Sequence, residues 1–349
     1  MIFSSDNWAG AHPAIAANLS RHAAGFAAAY GNSDLDRQVA KTFSEIFERD
    51  VSVFFVGTGT AANSLSMTAC ARPGGVAFCH EEAHMIADEC GAPEYFSGGA
   101  RLCPVPGANG KMDPAALAAA IGRYPAEFLH AGQPMAVSIT QATEIGTAYS
   151  LGEIDAVAAI CRAHDLPLHM DGARFANALV ALGTTPAEMT WKRGVGIVSF
   201  GGTKNGCWCA EAIVVLDPDL AREMPFLHKR AAQLFSKSRF VAAQFEAYFA
   251  DDLWLETARH ANAMAARLAA LFRESGRTRL AWEPDANEVF AILPKALIAQ
   301  LQDKDVRFHE WTRPRSFAGE IAQEEALCRF VASFATTGED IERLGVLIG

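Results

Sequence analysis

Val51-Ser52-Val53-Phe54-Phe55-Val56 runs directly into Gly57-Thr58-Gly59-Thr60-Ala61-Ala62-Asn63. The first six residues read as a buried strand, the glycines as a tight turn, and the small residues through about Ala71 as a helix. Strand, turn and helix in that order are the repeating unit of an α/β domain. The glycines let backbone N–H groups approach an anion, and the helix start adds a partial positive charge, so a phosphate is the natural ligand here. The stretch also satisfies the Gly-x-Gly-x-x-Ala dinucleotide fingerprint, with Glu81 about 20 residues on, where a ribose-binding acid is expected. A nicotinamide enzyme and a plain glycine-rich turn therefore both stay open on this stretch alone.

The alternation extends outward. Residues 34–49 carry a helical pattern, and residues 76–79, 135–140, 166–170, 195–200 and 212–216 read as short strands. Helices are predicted over 113–121 and from Ser150, where Ser150-Leu151-Gly152-Glu153 has the form of a capping box. This order predicts an α/β domain with a mainly parallel sheet and ligands at the carboxyl ends of its strands. Beyond about Phe226 the pattern changes to long helices over 227–249 and 253–275, short strands over 289–293 and 329–334, and a closing helix from about Gly338. The expected organisation is an arm over residues 1–12, a large domain over 13–250 and a smaller α+β domain over 251–349.

Composition limits what the motifs can mean. A chain of 349 residues, 50% of them apolar, buries a large core and exceeds the usual size of one domain. Its net charge of −10 argues against nucleic acid or an acidic membrane as partner. The start Met1-Ile2-Phe3-Ser4-Ser5-Asp6 lacks a basic region followed by an apolar one, and no segment stays apolar for ~18 residues, so the cytoplasm is the expected compartment. The eight cysteines form no Cys-x-x-Cys pair, and Cys70, Cys79 and Cys328 lie in apolar runs as small hydrophobes. Neither a disulfide framework nor a catalytic metal is expected.

Four residues stand where chemistry is done. Lys204 lies in Phe200-Gly201-Gly202-Thr203-Lys204-Asn205-Gly206, just past a predicted strand, where its amine can form a Schiff base with an aldehyde cofactor. Asp171, in His169-Met170-Asp171-Gly172-Ala173-Arg174, ends another strand; its carboxylate either holds a pyridine nitrogen protonated or caps the next helix. Arg174 offers a planar fork for a carboxylate. His84 follows the second strand and can stack on a flat ring or move a proton, though His80 is an equal rival on sequence.

Taken together with Ser5-Asp6, Tyr30 to Asp34, Asp88 to Ala92 and Thr140-Gln141-Ala142-Thr143-Glu144, these motifs resemble the low-specificity L-threonine aldolases. The likeness runs in order from about Ser5 to Arg329. It implies a pyridoxal-phosphate enzyme of the aspartate aminotransferase fold (fold type I) that cleaves L-threonine, L-allo-threonine and related β-hydroxy-α-amino acids such as phenylserine to glycine and an aldehyde. Under the resemblance Lys204 is the Schiff-base lysine, Asp171 the partner of the ring nitrogen, His84 the stacking residue, and Gly59 with Thr60 the phosphate cradle. Ser5, Arg174 and Arg329 match positions that hold the substrate carboxylate. His130 matches a second histidine near the substrate hydroxyl, so the base is His84, His130 or a water they hold. Lys237, with Arg239 as rival, stands where many members carry an arginine that reaches the neighbouring subunit's phosphate, and a homotetramer built as a dimer of dimers is implied. A β-eliminating lyase or an aminotransferase is the nearest alternative, because such reactions differ only in which bond is aligned. An NAD-dependent dehydrogenase and a binding protein with an unused site follow.

Overall fold

The computed structural model describes residues 1–349. Seven strands, β1 (Ser52–Val56), β2 (Gly75–His80), β3 (Arg101–Val105), β4 (Gln133–Thr140), β5 (Leu168–Gly172), β6 (Val195–Gly201) and β7 (Glu211–Val215), form one sheet in the order β1-β7-β6-β5-β4-β2-β3. Only β7 runs against its neighbours, so the expected mainly parallel α/β sheet is present. The strands are short, continuous apolar runs because helices cover both faces. The second sheet is antiparallel, β10 (His309–Glu310), β11 (Glu325–Val331), β9 (Glu288–Pro294) and β8 (Arg279–Leu280) in that order.

Register aligns the ends that matter. Asp171 pairs with Thr140 and Ser199, Gly172 with Phe200, and Gly201 with Glu211, so the carboxyl ends of β4, β5 and β6 and the start of β7 lie side by side. Glu211 also pairs with Val56, which brings the Gly57 turn to the same edge. Phe200 anchors the end of β6 in an aromatic cluster, its ring 5.1 Å from Phe175 and 5.2 Å from Phe43. At Gly201 a β-carbon would meet the Ala173 carbonyl oxygen at 2.5 Å, so only glycine lets the lysine turn approach the turn after Asp171 so closely.

Helix Leu253–Glu274 joins the two halves. Its first turns add Trp254 and Ala258 to the core under the large sheet, and its last turns add Leu268 and Phe272 to the core of the small one. The amino-terminal arm belongs to that second core as well, with Phe3 fully buried and its N–H donating to Arg307. The capping box at Ser150 is present, Ser150 Oγ accepting from Glu153 N–H at 3.2 Å and Glu153 Oε2 accepting from Ser150 N–H at 2.7 Å.

Two predicted elements differ. The helix expected over 227–249 is two helices, Met224–Arg230 and Arg239–Phe249, broken where Ala232 takes φ of 58°. The break turns Gln233 inward to accept the Gly57 N–H at 3.0 Å, a long-range bond that helical periodicity cannot reveal. The strand expected over 329–334 is Glu325–Val331, its register set by β9.

Candidate active site

The aligned strand ends enclose a cleft of about 260 Å³. Thr58 caps helix Gly59–Ala69, its Oγ1 accepting the Ala61 N–H at 3.1 Å, and the N–H groups of Gly59 and Thr60 have no protein acceptor. Both residues line the cleft, so two backbone donors and the positive end of a helix face it. Lys204 enters on the turn Thr203–Asn205. That turn is clamped by Asn205, whose Nδ2 donates to Tyr248 Oη and to the Trp254 carbonyl, each at 2.8 Å. No carboxylate oxygen lies within 4.0 Å of the Lys204 amine, which is therefore free to react.

Asp171 is nearly buried and accepts from Asn63 Nδ2 at 2.9 Å and from Ala173 N–H at 3.1 Å. It is not the cap of helix Phe175–Leu182, so the capping alternative falls away. Burial pushes its carboxyl up, Glu144 adds to that, and His84 and Lys204 pull it back. A cationic group opposite Asp171 would therefore be strongly favoured.

Asn63 Nδ2 also donates to Glu89 Oε1 at 2.8 Å, and the same oxygen lies 2.9 Å from His84 Nδ1. The Glu89 hydrogen bond holds the His84 imidazole above its usual pKa. Glu89 thus orients the ring and leaves Nε2 for the cleft. The structure separates the two histidines that sequence could not: His80 is buried, bound to the Gly107 carbonyl at 3.1 Å and to Glu82 N–H at 3.1 Å, and burial lowers its pKa.

A second cleft of about 440 Å³ opens from the first and shares Asn7, His84 and Lys204 with it. Ser5, Arg174 and Arg329 line it. Arg174 is buried, with Nε 2.8 Å from Asp6 Oδ2, Nη2 3.1 Å from Asp6 Oδ1 and Nη1 3.0 Å from Glu288 Oε2. Its fork is thus engaged by the protein's own acids. Arg329 is more open, its guanidinium 4.1 Å from the Trp311 ring centre and its Nη1 3.5 Å from Glu288 Oε1.

His130 is not brought to either cleft. It sits in the exposed segment before β4, at the end of that strand opposite Thr140, and the seven residue steps of β4 put roughly 23 Å between the two ends. As a base for this chain's own Lys204 cleft it is therefore set aside. Lys237 is exposed and also outside the clefts, while Arg239 donates to the Gly25 carbonyl at 3.2 Å. The dinucleotide alternative fails on topology: Glu81 follows β2, whereas β1 pairs only with β7, and Glu81 is 3.7 Å from Arg315.

Sequence reasoning gave no role to Glu211, Glu288 or Asp6. The signal was present for the first two, since an acid inside Ala210-Glu211-Ala212-Ile213 or Asn287-Glu288-Val289-Phe290 is a charge in an apolar strand. Glu211 faces the first cleft beside Lys204, and burial pushes its carboxyl up to about 7 against the opposing pull of Thr203 and Lys204. A buried acid whose pKa rises on folding contributes stability below its unfolded pKa and loses it as pH climbs to the folded value. Glu211→Gln is therefore expected to raise unfolding stability at pH 8 by at most about 3 kcal/mol while changing little near pH 4. Denaturant titration at both pH values checks this, and an equal change at the two would refute it.

Residues 3–296 match the family described as beta-eliminating lyase. The chain is 40% identical to the low specificity L-threonine aldolase of Pseudomonas aeruginosa over 343 residues, 98% of this chain and 94% of that protein. It is also 40% identical to the enzyme of that name from a Pseudomonas species, covering 88% of each. Among solved structures, the Leishmania major threonine aldolase superposes with a TM-score of 0.91 at 29% identity, covering 99% of this chain and 98% of that one. Tryptophan decarboxylase of Catharanthus roseus, at 15% identity and a TM-score of 0.76, covers 99% of this chain and 82% of that one and shares the fold.

Proposed function

Because the chain belongs to the beta-eliminating lyase family and, within it, groups with the low-specificity L-threonine aldolases, we propose that it cleaves L-threonine, L-allo-threonine and related β-hydroxy-α-amino acids to glycine and an aldehyde. The observation that carries this reading is the joined pair of clefts, one built for an anion and an imine, the other lined by arginines, with Lys204 and His84 at their junction. The residues present fit pyridoxal phosphate. The unpaired N–H groups of Gly59 and Thr60 suit its phosphate, the ion-pair-free amine of Lys204 suits its aldehyde, and the buried carboxylate of Asp171 suits its ring nitrogen. Bound there, the cofactor supplies a sink for the electron pair left at Cα when the Cα–Cβ bond breaks.

The chain's own groups do the rest. Arg329, with Ser5 and Arg174 beside it, grips the α-carboxylate and so fixes which bond at Cα stands ready to break. His84, oriented by Glu89, takes the β-hydroxyl proton at Nε2, directly or through a water. Asp171 keeps charge opposite the ring nitrogen. Asn63 ties Asp171 to Glu89, so the two acids hold position as a unit.

The same reading carries a homotetramer, with the exposed Lys237 turned toward a neighbouring copy's phosphate, and a cytoplasmic location; no helix is long and apolar enough to cross a membrane. The test is steady-state turnover of the purified protein with pyridoxal phosphate. Aldehyde and glycine should form in equal amounts from threonine and phenylserine. Faster turnover of cysteine or alanine would favour β-elimination or transamination and overturn the proposal.

A further inference from the structure

One buried acid has no task in the scheme above. Glu288 opens β9, is fully buried and stands between the two arginines, Oε2 3.0 Å from Arg174 Nη1 and Oε1 3.5 Å from Arg329 Nη1. Neither of its oxygens accepts a well-directed hydrogen bond. Its backbone is pinned as well, since a β-carbon at Gly146 would meet the Glu288 carbonyl oxygen at 2.5 Å. Asp6, the other acid of the cluster, is far better served: Arg174 binds it through two atoms and Asn287 Nδ2 donates to it at 3.0 Å. Of the two, Glu288 is the one whose charge is cheaper to give up.

Charge balance gives that difference a consequence. Arg174 and Arg329 are neutralised by Asp6 and Glu288 when both acids are ionised. A substrate carboxylate arriving at Arg329 adds a negative charge that the cluster matches only if one acid takes a proton. We propose that Glu288 is an exchangeable counterion of the substrate-carboxylate site: it pairs with the arginines as a carboxylate in the free enzyme and is protonated from solvent when an α-carboxylate binds. This rests on the amino-acid reading of the site. The charged groups facing it are Arg174 from the turn after β5, Arg329 from β11, Asp6 from the amino-terminal turn and Glu144 from the loop after β4. Lys204 in turn faces Asp6, and His309 on β10 faces Arg329. In support, burial pushes the Glu288 carboxyl up to about 7 even though both arginines pull it down, while Asp6 is held below its usual value despite burial.

Binding should then absorb a proton above about pH 7, and carboxylate affinity should fall by up to about tenfold per pH unit there. Calorimetric titration of the holoenzyme with glycine at pH 8, in two buffers of different ionisation enthalpy, reads the proton count directly. The unaltered enzyme should take up close to one proton more than Glu288→Gln, and the variant should bind glycine about tenfold more tightly at that pH because no acid competes for the arginines. Equal proton counts, or weaker glycine binding by the variant at every pH, would reduce Glu288 to a structural strut and overturn the proposal. A second measurement needs no variant: the inhibition constant of propionate, which has the carboxylate and no amine, should rise about tenfold between about pH 7.5 and 8.5, and a flat value overturns the proposal. Glycine binding with no proton difference sinks this inference alone; no glycine binding at all sinks the amino-acid reading and this inference with it.

Discussion

Lys204→Ala is expected to lower kcat for threonine cleavage by at least about 10³-fold, the scale on which loss of a covalent nucleophile acts, and Lys204→Arg should do the same although it keeps the charge. Removing the amine removes the only group in the cleft that can form an imine. The fold should survive, because the turn is held by Asn205 on Tyr248 and Trp254 and the Lys204 side chain makes no ion pair. An unchanged melting profile therefore separates lost chemistry from lost structure. Borohydride reduction of the loaded enzyme, followed by peptide mapping, gives the complementary result: the label should sit on Lys204 and on no other lysine. Retained turnover in either variant, or a label elsewhere, would remove the basis for the whole site.

Much of that site could be read locally. Asp171 and Lys204 each end an apolar run, and the Gly57 turn joins a strand to a helix, so each announces a strand end without any knowledge of the partners. What brings them together is register, and register depends on hydrogen bonds between segments about 30 to 160 residues apart. The arginine cluster is less legible still. Arg174 meets Asp6 across 168 positions, and Asn287 meets Asp6 across 281, distances over which no periodicity speaks. His130 illustrates the opposite limit: the family match assigns it a role, whereas its place before β4 puts it at the end of that strand away from this chain's own cleft. The break at Ala232 was hidden for a related reason: the apolar spacing is helical on both sides, and only the tertiary bond from Gly57 to Gln233 reveals the turn.

Asp171→Asn should cost kcat about 10²- to 10³-fold, or about 3 to 4 kcal/mol of transition-state stabilisation, while pyridoxal phosphate still binds through Lys204 and the helix start. The substitution keeps shape and removes charge. Oδ1 of the new residue can still accept from Ala173 N–H, whose bond to Asp171 is 3.1 Å in the unaltered enzyme. The other bond is lost, because Asn63 Nδ2 would then face an amide nitrogen or compete for one oxygen. Asn63 can relieve that clash by a flip, since its Oδ1 has no partner, but flipping surrenders the 2.8 Å bond to Glu89 that helps orient His84. The damage should therefore appear in two readouts. The kcat loss reports the missing charge at the ring nitrogen, and a lowered pKa of His84 by NMR titration reports the same lost charge together with any disturbance carried through Asn63 and Glu89, because the Glu89 bond is the main cause of its elevation and Asp171 adds to it. Asp171→Glu, which restores charge but displaces it, should recover part of kcat. If Asp171→Asn stayed within about threefold of the unaltered enzyme, the carboxylate would be a structural anchor and the electron-sink assignment would have to be abandoned.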